Sequence, residues 1–497
     1  MEWMEKKTLI TAFVAQIIAK TNFSELDQIY LYNRILNLVN GFDETGDFSN
    51  KSLLELADLL VNGSKDELTA GQKDILKTEL LNFLVPIPSE INRIFWDKYQ
   101  QQGVNAALKY LYQLDQSSNY IKTAEISKNK YFRYQSDYGE LEITINLSKP
   151  EKDPRDIARQ QAVKATSYPQ CQLCFTNEGY QGRAGYPARS NHRIIRFNLL
   201  DETWGLQYSP YAYFNEHCIF VDEHHQLMKI DQKTFSRLLA ILDLFPGYFV
   251  GSNADLPIVG GSILSHEHFQ GGRHVFAMDQ ATISQQIHFA GFDNVKAGIL
   301  NWPMSVIRLA GKDKAAIVKL ATKILNCWKE YTDEKVSVIA SSNHQPHHTV
   351  TPIARKRADE YELDLVLRDN HCTKEYPAGV FHPHPDVQNI KQENIGLIEV
   401  MGLAILPPRL QKELAEVKKY LLNQPNQLAD KHLQWTKDIL QHSAEKITAE
   451  NVADVIKQAL GKTFVRVLED AGVFKTDTNG QRAFADFVNY VNKQERS

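Results

Sequence analysis

Cysteine is scarce in this chain of 497 residues, and long apolar runs are missing. The five cysteines, Cys171, Cys174, Cys218, Cys327 and Cys372, are too few and too unevenly spaced for a disulfide scaffold, which points to a reducing, cytoplasmic compartment. No run of about eighteen apolar residues occurs, so no helical membrane span is expected. Neither sign of charge dominates. The 56 Lys and Arg against 60 Asp and Glu leave a net charge of −4, which argues against a nucleic-acid coat or a membrane-surface role. No Gly-x-Gly-x-x-Gly opens a helix, and Gly461-Lys462-Thr463 lacks the first glycine of a phosphate loop, Ile456 standing in its place.

What is present is ordinary globular composition, 43% hydrophobic and 23% charged, in a chain long enough for about three domains. Residues 1–125 hold neither histidine nor cysteine and keep helical spacing throughout. Ile10, Phe13, Val14, Ile17 and Ile18 share one face, so the apolar N-terminal stretch reads as an amphipathic helix rather than a signal peptide. From 126 the pattern becomes α+β. Leu141, Ile143, Ile145 and Leu147 alternate with polar residues, as on a half-buried strand, and strands are expected at Arg193–Leu199 and Cys218–Val221. Asp231 caps a helix that Pro246 ends, and an extended stretch runs through Phe249–Val259. The order recurs: strand at Ser305–Leu309, helix at Lys314–Tyr331, strands at Val336–Ile339 and Leu363–Leu367. The expected architecture is therefore two tandem α+β units, 126–290 and 291–407, between helical regions at 1–125 and 408–497.

Histidine placement locates the chemistry. Of 16 histidines, 14 lie between His192 and His384, where even scatter would put about six. Within that window, Asp255 to Gly272 reads DLPIVGGSILSHEHFQGG. On a strand, His266, His268 and Gln270 would share one face, while Gly260, Gly261, Gly271 and Gly272 let an anionic ligand approach the backbone. Two imidazoles and an amide at a glycine-lined cavity suit phosphoryl transfer, one histidine attacking phosphorus and the amide donating to its oxygens. The same His-x-His spacing also suits a metal site, and the spacing alone leaves both open.

SHEHFQGG behind DLPIVGGSIL resembles the active-site region of the UDP-glucose–hexose-1-phosphate uridylyltransferases of the second class. So do CQLCFTNEG (Cys171 to Gly179), PARSNHRIIRF (Pro187 to Phe197), YSPYAYFNEHCIFVDEHH (Tyr208 to His225) and NIGLIEVMGLAILPPRL (Asn394 to Leu410). The resemblance covers roughly 140–410. It implies two histidine-triad-like units with antiparallel sheets, and a ping-pong transfer of uridylyl from UDP-glucose to a histidine and on to galactose 1-phosphate, in the Leloir pathway of galactose metabolism. By the family pattern His268 is the nucleophile, His266 its partner, and Gln270 holds the transferred phosphoryl group. Asn253, Gly261, Ser262 and Glu399 fall where the resemblance implies substrate contacts. Asn191 and Arg193 are the expected diphosphate ligands, since a guanidinium can grip phosphate in bidentate fashion. Cys171 and Cys174 match a pair that binds zinc in the better-known class, which makes Cys171, Cys174, His224 and His266 the implied tetrahedral site. No metal is obligatory at the covalent step, because fixed donors can stabilise the charge. The family also implies a homodimer.

Beside this reading stand a nucleotide-sugar binding module without turnover and two other enzymes. One is a histidine-triad nucleotide-sugar phosphorylase or hydrolase sharing His268. The other is a metal-dependent oxidoreductase built on His266 and His268. The remaining histidines, among them His344, His347, His348, His382 and His384, read as surface or satisfied core residues, and Arg355, Lys356 and Arg357 as a solvated basic face.

Overall fold

The computed structural model describes residues 7–64, 67–148, 168–261, 263–443 and 445–494; Ser262 lies outside them. The first helices start where the sequence supplies caps. Ser52 Oγ accepts from the Glu55 N–H, and the Glu55 carboxylate accepts from the Ser52 N–H, so two end donors are satisfied reciprocally at helix Leu53–Gly63. Helices Leu9–Lys20, Gln28–Leu38, Leu53–Gly63 and Ala70–Asn82 bury their apolar stripes against one another, around Phe13, Ile17, Leu56 and Leu60. Helices Pro88–Gln102 and Val104–Ser117 turn elsewhere, with Leu114 bridging to that core. Their Ile91, Phe95, Leu108 and Leu111 pack into the central core. The helical region expected over 1–125 thus contains two packing units.

A three-stranded sheet follows, made of β1 (Lys130–Ser136), β2 (Gly139–Ile145) and β15 (Leu403–Leu406), with β15 parallel to β2. The centre of the molecule is a ten-stranded antiparallel sheet. Its first half holds β3 (Ile195–Leu199), β4 (Glu202–Tyr208), β5 (Cys218–Asp222), β6 (Phe249–Gly251) and β7 (His268–Gly272). The second half holds β8 (Ile283–Ile287), β9 (Lys296–Leu300), β10 (Val306–Gly311), β13 (His348–Arg357) and β14 (Glu360–Asp369). A two-stranded ribbon, β11 (Ser341–Ser342) with β12 (Gln345–Pro346), precedes β13. The spatial order is β3-β4-β5-β7-β6-β13-β14-β10-β9-β8.

That order is a repeat read inwards from both edges. Each half is a three-strand meander, then a helix, then two strands, of which the second pairs with the meander and the first faces the centre. The helices are Gln232–Leu244, capped by Asp231 as expected, and Lys314–Glu330. The halves meet where β6 pairs with β13, Gly251 opposite Ile353 and Val250 opposite Ala354. The tandem α+β units are therefore fused into one sheet. Their boundary lies between Gly272 and Ile283, earlier than the expected 290, because β8 belongs to the second meander.

Strand alternation feeds two cores. Val250, Ile307, Ala354 and Leu365 point to the face covered by the two crossover helices and Thr478–Lys493. Phe249, Val306, Ile353 and Val366 point to the face covered by β2, β15 and helices Leu410–Leu421, Asp430–His442 and Val452–Ala471. Gly461-Lys462-Thr463 is mid-helix.

Two expected strands fail. Val336–Ile339 gives way to a 3-10 turn at Glu334–Val336, where the Asp333 side chain accepts from the Lys335 N–H and Ser337 turns left-handed at φ 60°. The stretch from Phe249 is a strand for three residues only, because the chain then leaves the sheet to form the loop that carries Asn253 and Gly261. Among the described residues, no helix is long and apolar enough to cross a membrane.

Candidate active site

β7 lies between β5 and β6, with Val221 opposite His268 and Gly251 opposite Gln270. His268 and Gln270 fall on one face and border a cavity of ≈ 250 Å³. Phe269 points the other way and stacks on Trp204, ring centroids 5.0 Å apart at 11°. The strand is thereby anchored in the core on one side and presents an imidazole and an amide on the other.

Which ring nitrogen of His268 stays free is set by a single backbone contact. His268 Nδ1–H donates to the His266 carbonyl at 2.8 Å, which leaves the Nε2 lone pair free. Burial pushes the His268 pKa down to about 4, so the ring is neutral at pH 7. A neutral imidazole with a bare Nε2 beside a cavity is the form that attacks phosphorus.

His266 does not share that face. It precedes β7, so strand alternation does not govern it, and its ring turns to the loop holding Cys171 and Cys174. Its Nε2–H donates to the Asp222 carbonyl at 2.8 Å, leaving Nδ1 facing the sulfurs, 3.3 Å from Cys171 Sγ and 3.5 Å from Cys174 Sγ. The fourth member is His225, with Nδ1 3.1 Å from Cys174 Sγ. His224, the histidine expected from the sequence, points away, its side chain 79% exposed and its Nδ1 3.5 Å from Asp222. The neighbouring position is chosen because the chain turns out of β5 after Asp222, whose carboxylate accepts from the His224 N–H. The ligand atoms of Cys171, Cys174, His225 and His266 all lie within 4.8 Å of one another. Tetrahedral zinc with two sulfur and two nitrogen ligands needs donors roughly 3.3–3.8 Å apart, and two thiols with two imidazoles are its typical set. The four residues fit the ion. They do not include His268, so a single metal shared by His266 and His268, as an oxidoreductase would need, is not what the site is built for.

The far wall of the cavity comes from Gly396, Leu397, Ile398 and Glu399, with Ile405 beside them. Asn253 joins the two sides. Its Oδ1 accepts from the Leu397 N–H at 2.9 Å, and its amide packs against Gly261. Glu399 is buried and pairs with Lys391 at 2.5 Å, with its second oxygen accepting from the Gly396 N–H. A Cβ added at Gly261 would sit 2.6 Å from Asn253 Nδ2 and 2.8 Å from its Cγ. Gly261→Ala is therefore expected to push Asn253 off Leu397 and lower kcat/KM roughly tenfold, the equivalent of about 1.4 kcal/mol, in steady-state assays.

Asn191 and Arg193 are not at the cavity. Asn191 donates to the Ser118 carbonyl. Arg193 is spent on backbone and helix ends: Nε to the Pro86 carbonyl at 2.7 Å, Nη1 to the Ser190 and His192 carbonyls at 2.8 Å, and Nη2 to Asn82 Oδ1 at 2.9 Å. Both residues tie the N-terminal helices to the sheet. Their motif is specific, but for a packing role that sequence spacing cannot tell from phosphate binding. Arg193→Met is expected to cost about 2–4 kcal/mol of stability, seen in denaturant melts, and to leave KM for the nucleotide sugar unchanged.

Of the basic face expected in the second half, Lys356 and Arg357 are exposed but Arg355 is not. Arg355 is buried in an ion network, 2.6 Å from Asp279, 2.5 Å from Glu362 and 2.7 Å from Asp364, and Arg308 meets Asp364 at 2.7 Å. His348 is a satisfied core histidine as expected. It stacks on Trp328 at 3.9 Å, and its Nε2 is 3.0 Å from Asp369. Tyr213, Ile219 and Leu173 also line the cavity and escaped the sequence reading, being ordinary apolar or aromatic residues on three separate segments.

Comparison with known proteins agrees over nearly the whole length. Residues 21–226 match the N-terminal domain of the galactose-1-phosphate uridyl transferase family, and residues 241–437 match its C-terminal domain. A galactose-1-phosphate uridylyltransferase from Ligilactobacillus salivarius is 57% identical over 98% of this chain and 99% of its own. One from Streptococcus mutans is 56% identical over 97% of this chain and 99% of its own, and one from Streptococcus pneumoniae 55% over 98% and 99%.

Proposed function

Since the chain belongs to the galactose-1-phosphate uridylyltransferase family, we propose that its transfer of uridylyl from UDP-glucose to galactose 1-phosphate proceeds in two displacements through a covalent bond to His268. Nε2 attacks the phosphorus next to uridine, the phosphoanhydride bond breaks, and glucose 1-phosphate leaves. A phosphate oxygen of galactose 1-phosphate then attacks the same phosphorus, the N–P bond breaks, UDP-galactose forms, and the imidazole returns neutral. The contact from Nδ1–H to the His266 carbonyl carries this reading, because it holds Nε2 bare before attack and steadies the ring as it becomes cationic. Gln270 donates to the phosphoryl oxygens, and Asn253 and Glu399 orient substrate against the Gly396–Glu399 wall.

Cys171, Cys174, His225 and His266 would hold a structural zinc. Such an ion ties the Cys171 loop to the residue whose carbonyl orients His268, and supplies no step of the transfer. The free cysteines and the phosphorylated substrates favour the cytoplasm as the place of action.

The experiment is the first displacement alone. The enzyme is mixed with UDP-glucose labelled in the uridylyl phosphate, with no acceptor. One acid-labile, base-stable label per site, with equal release of glucose 1-phosphate, is expected. Bound UDP-glucose with no label on the protein would overturn the covalent route.

A further inference from the structure

A glutamine amide has a donor end and an acceptor end of nearly equal size, so its partner decides which end faces the ligand. For Gln270 that partner is His217, on the turn leading into β5. His217 Nε2 lies 3.0 Å from Gln270 Oε1. With the proton on Nε2, Oε1 is held as acceptor and the NH2 group faces the cavity. With Nε2 bare, the amide would turn over and set an oxygen against the phosphoryl anion.

Two observations choose between these. His217 is 3% exposed, and burial pushes its pKa down to about 4, so at pH 7 the ring carries one proton. Its Nδ1 is buried and has no hydrogen-bond partner. A buried donor left unpaired is costlier and rarer than an unpaired acceptor, so the proton belongs on Nε2, where it has a partner. The rings of Phe214, centred 4.6 Å from the imidazole, and Tyr213, at 5.7 Å and 30°, hold its plane. Among the described residues, no carboxylate or cation forms an ion pair with His217, and its hydrogen bond goes to the neutral Gln270 amide.

We propose that His217 is a positioning residue for uridylyl transfer, whose Nε2–H fixes the Gln270 amide with its NH2 toward the phosphoryl site. This rests on the roles given above to His268 and Gln270. His217 itself is not among the residues that line the cavity. Its partner loses donor function when the histidine does.

The test is a double-mutant cycle on the full chain, read by single-turnover labelling from UDP-glucose. His217→Met should slow uridylylation about 30- to 100-fold, somewhat less than outright loss of a transition-state donor, with KM for UDP-glucose within about threefold. His217→Gln, whose amide nitrogen reaches the place of Nε2, should restore most of the rate. In a Gln270→Ala background, His217→Met should cost no further than about twofold. Equal losses in both backgrounds, or a His217→Gln enzyme as slow as His217→Met, would overturn the proposal. A slow Gln270→Ala beside a full-speed His217→Met would overturn His217 alone. A full-speed Gln270→Ala would overturn the reading of Gln270 and His217 with it. His217→Leu replaces His217→Met if the latter does not fold.

Discussion

His268→Asn should leave a folded protein that takes up no uridylyl label and turns over at least about 10⁴-fold more slowly than the wild type. Loss of a nucleophile has costs of this order where covalent chemistry carries the rate. The substitution is mild in every other respect. Asn can still offer an N–H to the His266 carbonyl, now 2.8 Å from His268 Nδ1, so strand β7 keeps its local bond. What it lacks is the second nitrogen. Binding of UDP-glucose, followed by calorimetry, should persist within about tenfold, since Asn253 and the Gly396–Glu399 wall are untouched. Retained labelling in this variant would move the nucleophile elsewhere.

The second large effect is expected at the cysteine–histidine cluster. Cys174→Ser and His225→Ala should each abolish bound zinc, measured by plasma emission, and lower the melting temperature by several degrees or more. His224→Ala should do neither, because that ring stands in solvent, 79% exposed. Activity should fall with the metal although the ion touches no substrate. His266 carries both a ring in the cluster and the carbonyl that orients His268, so loosening the first displaces the second. Zinc retained in His225→Ala and lost in His224→Ala would reverse the assignment.

Much of this was legible in the sequence, for identifiable reasons. The strands over 141–145 and 195–199 show plain alternation in sequence, 218–221 is a short apolar run, and Asp231 and Pro246 bracket a helix, all local signals that tertiary contacts had no reason to override. His268 and Gln270 share a face because they sit on a true strand. His266 was misplaced by the same rule, since periodicity says nothing about where a strand begins. The choice of His225 over His224 depends on how the chain leaves β5, a turn held by the Asp222 carboxylate. Arg193 and Asn191 were misread because a buried guanidinium bridging two packing units leaves the same mark on sequence as one awaiting phosphate. His217 lies in the resembling stretch Tyr208 to His225, but nothing there ties it to Gln270, which is 53 residues away and meets it only in the folded sheet.

The seam between the two halves of the large sheet also bears on how such a protein can change. His268 and Gln270 belong to the first half, whereas Gly396 to Glu399 and Ile405 follow the second. A duplicated unit starts with two equivalent sockets, yet here the strand that corresponds to β7 in order, β14, carries Glu362 and Asp364 locked to arginines instead of imidazoles. One half sets an imidazole and an amide at the cavity, the other holds a buried ion network in their place, and the chain that leaves it supplies the opposite wall. Neither can then drift, be silenced or be inherited alone, and selection for a single turnover holds both copies in one polypeptide at equal dose.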